Sequence, residues 1–379
     1  MKSALPGLPF LPLFITTMDS LLLPLLLVIV ASLFLGSFGL GMKYMHPLPW
    51  EAWWLIHSVV GMLLFPLVWA TIVVPDLVEV IAAAPTGVKL TAMLFGFLWG
   101  VGGMLFGVSV RYVGVSITYG IVMGLAGAAG SLIPLAQMED AGSNPAIPFV
   151  ITGVIVMLAG VAICGIAGAR RERATIQTSA SANPGSAKSA KGGLAIAVTS
   201  GVLSSLINVG FSSAAPVAEA AVRAGVETRN SALAAWVVVL LGATLMNAGF
   251  AMYRLWRNRT WSSFATPGSG KAYRWAVVSA LLWFGSLGIY GQGAALMGNI
   301  GPVIGWPMLL GLSLIASNGL GFLTGEWKNA PRPLRLMMGG IVVLIVACAI
   351  IGYANFLSTQ SKPSRSVRID WSASGCRLS

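Results

Sequence analysis

The sequence predicts an all-α membrane protein whose ten transmembrane helices form two inverted five-helix repeats. Three observations point there. The 379-residue chain is 56% hydrophobic and only 9% charged, against roughly 25% charged in an average soluble domain, so its polar side chains are too few to cover a water-facing surface. Ten apolar stretches have the roughly 20-residue length that crosses about 30 Å of hydrocarbon. Finally, LWGVGGMLFGVSVRYVG at 98–114 returns as LWFGSLGIYGQGAALMG at 282–298, with the same Leu-Trp and the same aromatic-Gly pair eight residues on.

The spans follow in order. Span 1, residues 21–41, is preceded by a Pro- and Phe-rich stretch at 4–17; with Lys2 as its only charge, this reads as an interfacial lead-in to an uncleaved helix rather than a signal peptide. Span 2 covers 54–75. Spans 3 and 4, at 90–111 and 115–136, are so close that they must form a tight hairpin, and span 5 covers 147–168. The Ala/Ser/Gly/Lys-rich segment 170–192 reads as a cytoplasmic linker. Spans 6, 7 and 8 cover 193–214, 232–254 and 274–295. Span 9, at 300–323, carries Pro302 and Pro307 near its start, which should free backbone carbonyls. Span 10, at 337–357, opens GIVVLIVACAIIG from Gly340, an echo of GVIVMLAGVAICG from Gly153 in span 5.

The chain therefore divides into a first repeat at 1–169, the linker, a second repeat at 193–357, and a polar tail at 358–379. Because five is odd, the second copy enters the membrane from the opposite side. Inverted repeats recur in secondary transporters, which expose a midplane site alternately to each face.

Charge sets the orientation. Loops after the odd-numbered spans hold fifteen of the 23 basic residues, among them Arg170, Arg171, Arg173, Arg257 and Arg259, while Asp76, Glu79, Glu139 and Asp140 lie on the other side. The basic side is expected to be cytoplasmic, with both termini on the opposite side. The net charge of +12 is scattered through short loops, so no nucleic-acid partner is expected. Cys164 and Cys348 lie inside apolar runs without metal-ligand spacing and read as packing residues.

No nucleophile elbow, phosphate loop or zinc-protease motif occurs, so no enzyme and no cofactor is expected. Polar groups inside the spans are sparse. Asn208 and Gln292, with the rings of Trp54, Trp99, Trp283, Tyr290 and Trp306, suit a small neutral sugar: amides exchange hydrogen bonds with hydroxyls while a ring covers the apolar sugar face. His57 shares a helical face with Trp50, Trp53 and Trp54 and titrates near neutrality, which makes it the leading proton-coupling residue; the other reading is a hydrogen-bonded histidine in an interfacial aromatic belt. Glu51 and Glu326 are rival proton sites. Arg111 reads as an orientation anchor. Glycines at 96, 100, 103 and 107 and at 120 and 124 give small-xxx-small spacings that let helices approach closely.

Several motifs in register, PWEAWW (49–54), LFGFLWGVGGMLFGVSVRYVG (94–114), AAPVAEAA (214–221), NAGFAMYRL (247–255), LLWFGSLGIYGQG (281–293) and GEWKNA (325–330), resemble the L-rhamnose/proton symporter family of the drug/metabolite transporter superfamily. The resemblance runs from about residue 31 to 357. It implies the drug/metabolite transporter fold and uptake of a 6-deoxyhexose with a coupling cation, proton ahead of sodium. Trp99, Arg111, Tyr112, Trp283, Tyr290, Glu326 and Trp327 occupy positions matching the family pattern. Ala215 stands where the family pattern has a lysine, which widens the expected substrate from L-rhamnose to an L-fucose type. The alternative within the superfamily is an exporter of a drug or small metabolite.

Overall fold

The computed structural model describes residues 10–139, 141–177, 187–328 and 330–360, and among them every regular element is helical. Helix α1, Phe10–Ser37, continues as a 3-10 segment, Phe38–Tyr44. Next come α2, Trp50–Ser58, a π-helical turn, Val59–Leu64, and α3, Phe65–Val73, on one continuous rod. Asp76 breaks the chain in left-handed backbone (φ 52°) before the short α4, Leu77–Ala83. The hairpin expected between spans 3 and 4 is present: α5, Thr86–Val113, and α6, Val115–Ala136, are joined by Gly114 alone, whose φ of 85° suits a residue without Cβ. Then follow α7 (Ile147–Gln177), α8 (Ala187–Ser213), α9 (Ala215–Arg223), α10 (Thr228–Asn258), α11 (Gly270–Met297), α12 (Gly301–Leu323) and α13 (Pro331–Gln360).

Among the described residues, nine stretches are long and apolar enough to cross a membrane. The longest, Gly270–Leu323, has 54 residues, and Gly298 (φ 78°) divides it into α11 and α12. The outward faces are apolar: Leu90, Ile155 and Leu245 are 60, 61 and 64% exposed, a surface suited to lipid rather than to water. This is a multi-pass membrane protein. Helix enters both ends of the 170–192 segment, since α7 runs to Gln177 and α8 starts at Ala187; Ala, Lys and Arg favour helix in water. The tail from residue 361 and residues 1–9, which include the start of the lead-in, lie outside the described residues.

Packing pairs the elements crosswise. α5 lies on α8 and α11 on α1; α6 also contacts α8, and α12 contacts α1; α7 lies on α13. α5 and α10 approach closely at two glycines. A Cβ at Gly242 would stand 1.8 Å from the Met93 carbonyl oxygen, and one at Gly96 2.0 Å from that of Val239, so backbone touches backbone where a side chain would hold the helices apart. Of the other glycines in the α5 series, Gly100 packs on Asn247 and Met246, while Gly103 and Gly107 face open space. We expect Gly242→Ala to destabilise the protein by about 3 kcal/mol, the upper end for overpacking, read as a lower thermal unfolding midpoint in detergent; Gly103→Ala should leave that midpoint unchanged.

Proline placement adds a second tie. Pro66 offers no N–H to the carbonyl of Met62, four residues back, and the Thr244 hydroxyl of α10 lies 3.1 Å from that carbonyl while donating to its own Leu240 carbonyl at 2.7 Å. The end of the bundle carrying α4, α9 and the Gly298 turn is tightly filled: Leu77, Val80, Val217, Leu233, Trp236, Ile304 and Leu309 belong to one buried cluster. The opposite, basic end opens into a cavity of about 330 Å³.

Candidate functional site

The sequence-predicted residues fall into two clusters and three outliers. The first cluster brings Trp54 and His57 of α2 against Trp99 of α5 and Trp283 of α11. Trp50, Trp54 and His57 recur at the i, i+4, i+7 spacing of one helix face, and their rings form a continuous stack: Trp50 on Trp54 at 5.7 Å and Trp54 on His57 at 5.0 Å. Trp283 meets the imidazole edge-on at 5.8 Å and stacks on Trp99 at 5.5 Å. Phe38 closes the cage at 6.3 Å from the imidazole. His57 is 0% exposed, and neither Nδ1 nor Nε2 has a hydrogen-bond partner. A buried polar group without a partner costs about 1–3 kcal/mol, so an imidazole held this way calls for a functional account. The Trp236 Nε1 and Ser286 Oγ share that condition elsewhere on α10 and α11. The π-helical turn begins two residues after His57, and such turns are frequent at functional sites.

The second cluster is Asn208 of α8, Tyr290 of α11 and Trp306 of α12. Asn208 accepts from the Tyr290 hydroxyl at 2.6 Å and donates to the carbonyls of Gly130 at 2.8 Å and Pro302 at 3.0 Å. Trp306 donates to the Ala126 carbonyl at 3.0 Å. The Gly130 carbonyl is free for this because Pro134, four residues on, has no N–H; Pro307 likewise frees the Val303 carbonyl, which accepts the Ser131 hydroxyl at 2.6 Å. The Gly130 carbonyl freed by Pro134, the Val303 carbonyl freed by Pro307 and the Pro302 carbonyl together tie α6, α8 and α12. The polar atoms of Asn208, Tyr290 and Trp306 are engaged within the protein, next to the filled end of the bundle.

The outliers are Gln292, Glu51 and Glu326. Gln292 donates to Asn230 at 3.2 Å near the start of α10. Glu51 is buried and accepts from Asn258 Nδ2 at 2.8 Å and Thr260 Oγ1 at 2.9 Å, fastening the start of α2 to the end of α10. Glu326 lies at the cavity between Lys43 at 2.5 Å and Arg171 at 3.1 Å, with the Arg171 guanidinium 4.7 Å over the Trp327 ring. The Lys43 hydrogen bond, followed by the Arg171 contact, holds the Glu326 carboxyl below its ordinary range against the opposing effect of partial burial. A depressed carboxylate gives up its stabilisation only as pH falls through that lowered value. Glu326 therefore stays ionised between about pH 5 and 8. We expect Glu326→Gln to leave the midpoint of the uptake-against-pH curve in place; a moved midpoint would make Glu326 a titrating carrier.

Sequence reading did not assign several groups to these sites: Asn247, whose Oδ1 accepts Trp54 Nε1 at 3.2 Å; Phe38; and the Lys43 and Arg171 partners of Glu326. Asn247 stood out as a polar residue in an apolar run. The pairing of Glu326 with Lys43, 283 positions away, has no signal in a single sequence.

An all-helical bundle with lipid-suited outer faces, a clamped end and a polar cavity at the other defines a polytopic membrane protein of transporter type. The chain matches the L-rhamnose-proton symport protein family over residues 18–356, and it belongs to that family, whose members are transporters rather than enzymes. It is 30% identical over 316 residues to an L-rhamnose-proton symporter of Cronobacter sakazakii, covering 80% of this chain and 89% of that relative. It is 28% identical over 312 residues to one from Escherichia coli, covering 80% and 89%, and 27% identical over 321 residues to one from Mannheimia succiniciproducens, covering 82% and 91%.

Proposed function

We propose that the protein imports L-rhamnose, or a 6-deoxyhexose of the L-rhamnose or L-fucose type, across the bacterial inner membrane in symport with protons. The relatives' function supplies the substrate class. The observation that carries the mechanism is His57, buried with both ring nitrogens unpartnered inside Trp54, Trp99 and Trp283. In this reading the indoles cover the apolar face of the sugar, and the imidazole bonds a sugar hydroxyl in one protonation state and carries the coupled proton in the other. Glu51 and Glu326, held by other partners, are not carriers.

Ten crossings result when Gly270–Leu323 is counted as α11 and α12. The crosswise packing supports two inverted repeats: if α1 corresponds to α8, α5 to α11 and α6 to α12, then α5 on α8 matches α11 on α1, and α6 on α8 matches α12 on α1. The basic end then faces the cytoplasm and the clamped end the periplasm, with both termini on the periplasmic side. Alternating access would open the Asn208 clamp as the cytoplasmic cavity closes. The exporter alternative has no comparable support. Adding L-rhamnose to lightly buffered, de-energised cells that express the protein should raise the external pH as protons enter with sugar; an unchanged pH, with sugar entering, would contradict proton symport.

A further inference from the structure

The cavity at the basic end is a distinct space from the Trp54–His57–Trp283 cage. Its walls come from the 3-10 segment after α1 and from α6, α7, α12 and α13. One short stretch separates the two spaces: the Phe38 ring contacts His57, while its neighbours Gly39 and Leu40 line the cavity. That stretch is fastened at both ends. Ser279 of α11 donates to the Phe38 carbonyl at 2.8 Å, and Lys43 is bonded to Glu326. Phe38 therefore stands between the aromatic cage and this cavity.

The lining chemistry suits a monosaccharide. Tyr119, Ser116, Asn318 and Glu326 offer hydroxyl, amide and carboxylate groups to a ring of sugar hydroxyls. The Asn318 Nδ2 is held by the Leu314 carbonyl at 2.8 Å, which fixes the amide and points to its Oδ1 as the acceptor. Val161 and Leu314 supply an apolar wall of the kind a 6-methyl group seeks. Its glycine-lined walls are closely packed, Gly36 against Ala316 and Gly120 against Gly165, and about 330 Å³ lies at the small end of ligand sites.

We infer that this cavity is a second monosaccharide site, a release vestibule in which the sugar is held by Asn318, Tyr119 and Glu326 after it leaves the aromatic cage. The inference rests on the reading of the protein as a 6-deoxyhexose importer. It makes Phe38 the step between two sites in series, so release to the basic side is a binding event with its own affinity.

The test uses Ser317, which is exposed on the cavity wall. Ser317→Cys is made with Cys164→Ala, Cys348→Ala and Cys376→Ser, and the purified protein is labelled with a membrane-impermeant thiosulfonate with and without L-rhamnose. Labelling should proceed, and L-rhamnose at ten times its half-protecting concentration should slow it about tenfold, as simple occupancy dictates. Two further variants separate direct occupation from a movement triggered in the cage. Asn318→Ala should lose the protection, and Trp283→Ala should keep it. The reverse pattern, a thiol that does not react, or no protection in protein that still takes up L-rhamnose would each overturn the vestibule. If L-rhamnose is not taken up at all, the importer reading fails first and the vestibule with it. Gel-filtration profiles of the variants and tritiated L-rhamnose uptake by the thiol variant before labelling establish that the chain is folded.

Discussion

His57→Gln should abolish sugar accumulation while leaving sugar exchange. For one proton per sugar, a pH step of one unit is worth about 1.4 kcal/mol, or roughly tenfold accumulation. Glutamine keeps a hydrogen-bonding side chain of similar size but cannot take the proton, so the variant is expected to bring internal and external L-rhamnose only to equality. Counterflow, in which labelled sugar enters against unlabelled sugar without net proton movement, should survive. That split distinguishes a coupling residue from a structural one: a histidine needed only to fill the space between Trp54 and Trp283 would lower accumulation, exchange and thermal stability together. Tenfold accumulation persisting in the variant would remove His57 from the mechanism.

Asn208→Ala carries the second large effect, on stability. Three hydrogen bonds meet at this amide, and its loss strands the Tyr290 hydroxyl and the Gly130 carbonyl and removes a bond to the Pro302 carbonyl. Hydrogen bonds between membrane helices average about 0.6 kcal/mol and reach about 1.7, while a stranded buried group costs about 1–3 kcal/mol. The sum for this site is roughly 2–5 kcal/mol. Tyr290→Phe, which breaks one of the three bonds, should cost about 1 kcal/mol. Both are read from thermal unfolding in detergent. A loss below about 1 kcal/mol for Asn208→Ala would mean that the clamp does not hold α6, α8 and α12 together.

The helices were legible because hydrocarbon thickness imposes a length, and the α5–α6 hairpin because one residue, Gly114, separates two apolar runs. The aromatic stack was legible because Trp50, Trp54 and His57 recur on one helix face. Asn208 stood out as an amide in an apolar run, but its role did not: two of its partners are backbone carbonyls, one of them released by Pro134 more than 70 positions away, and a backbone acceptor has no letter in the sequence. The π-helical turn at Val59–Leu64 leaves no compositional mark either. For Glu326 a place near a helix end was legible, but its pairing with Lys43 and Arg171 was not, because only the fold brings those contacts together.

The central claim is proton-driven import of a 6-deoxyhexose. Its most direct test is accumulation of labelled L-rhamnose in proteoliposomes containing only this protein, under an inward proton gradient and, separately, an inward sodium gradient. Proton symport predicts uptake above equilibrium under the first, abolished by a protonophore, and simple equilibration under the second. Accumulation driven by sodium, or none under either gradient, would contradict it.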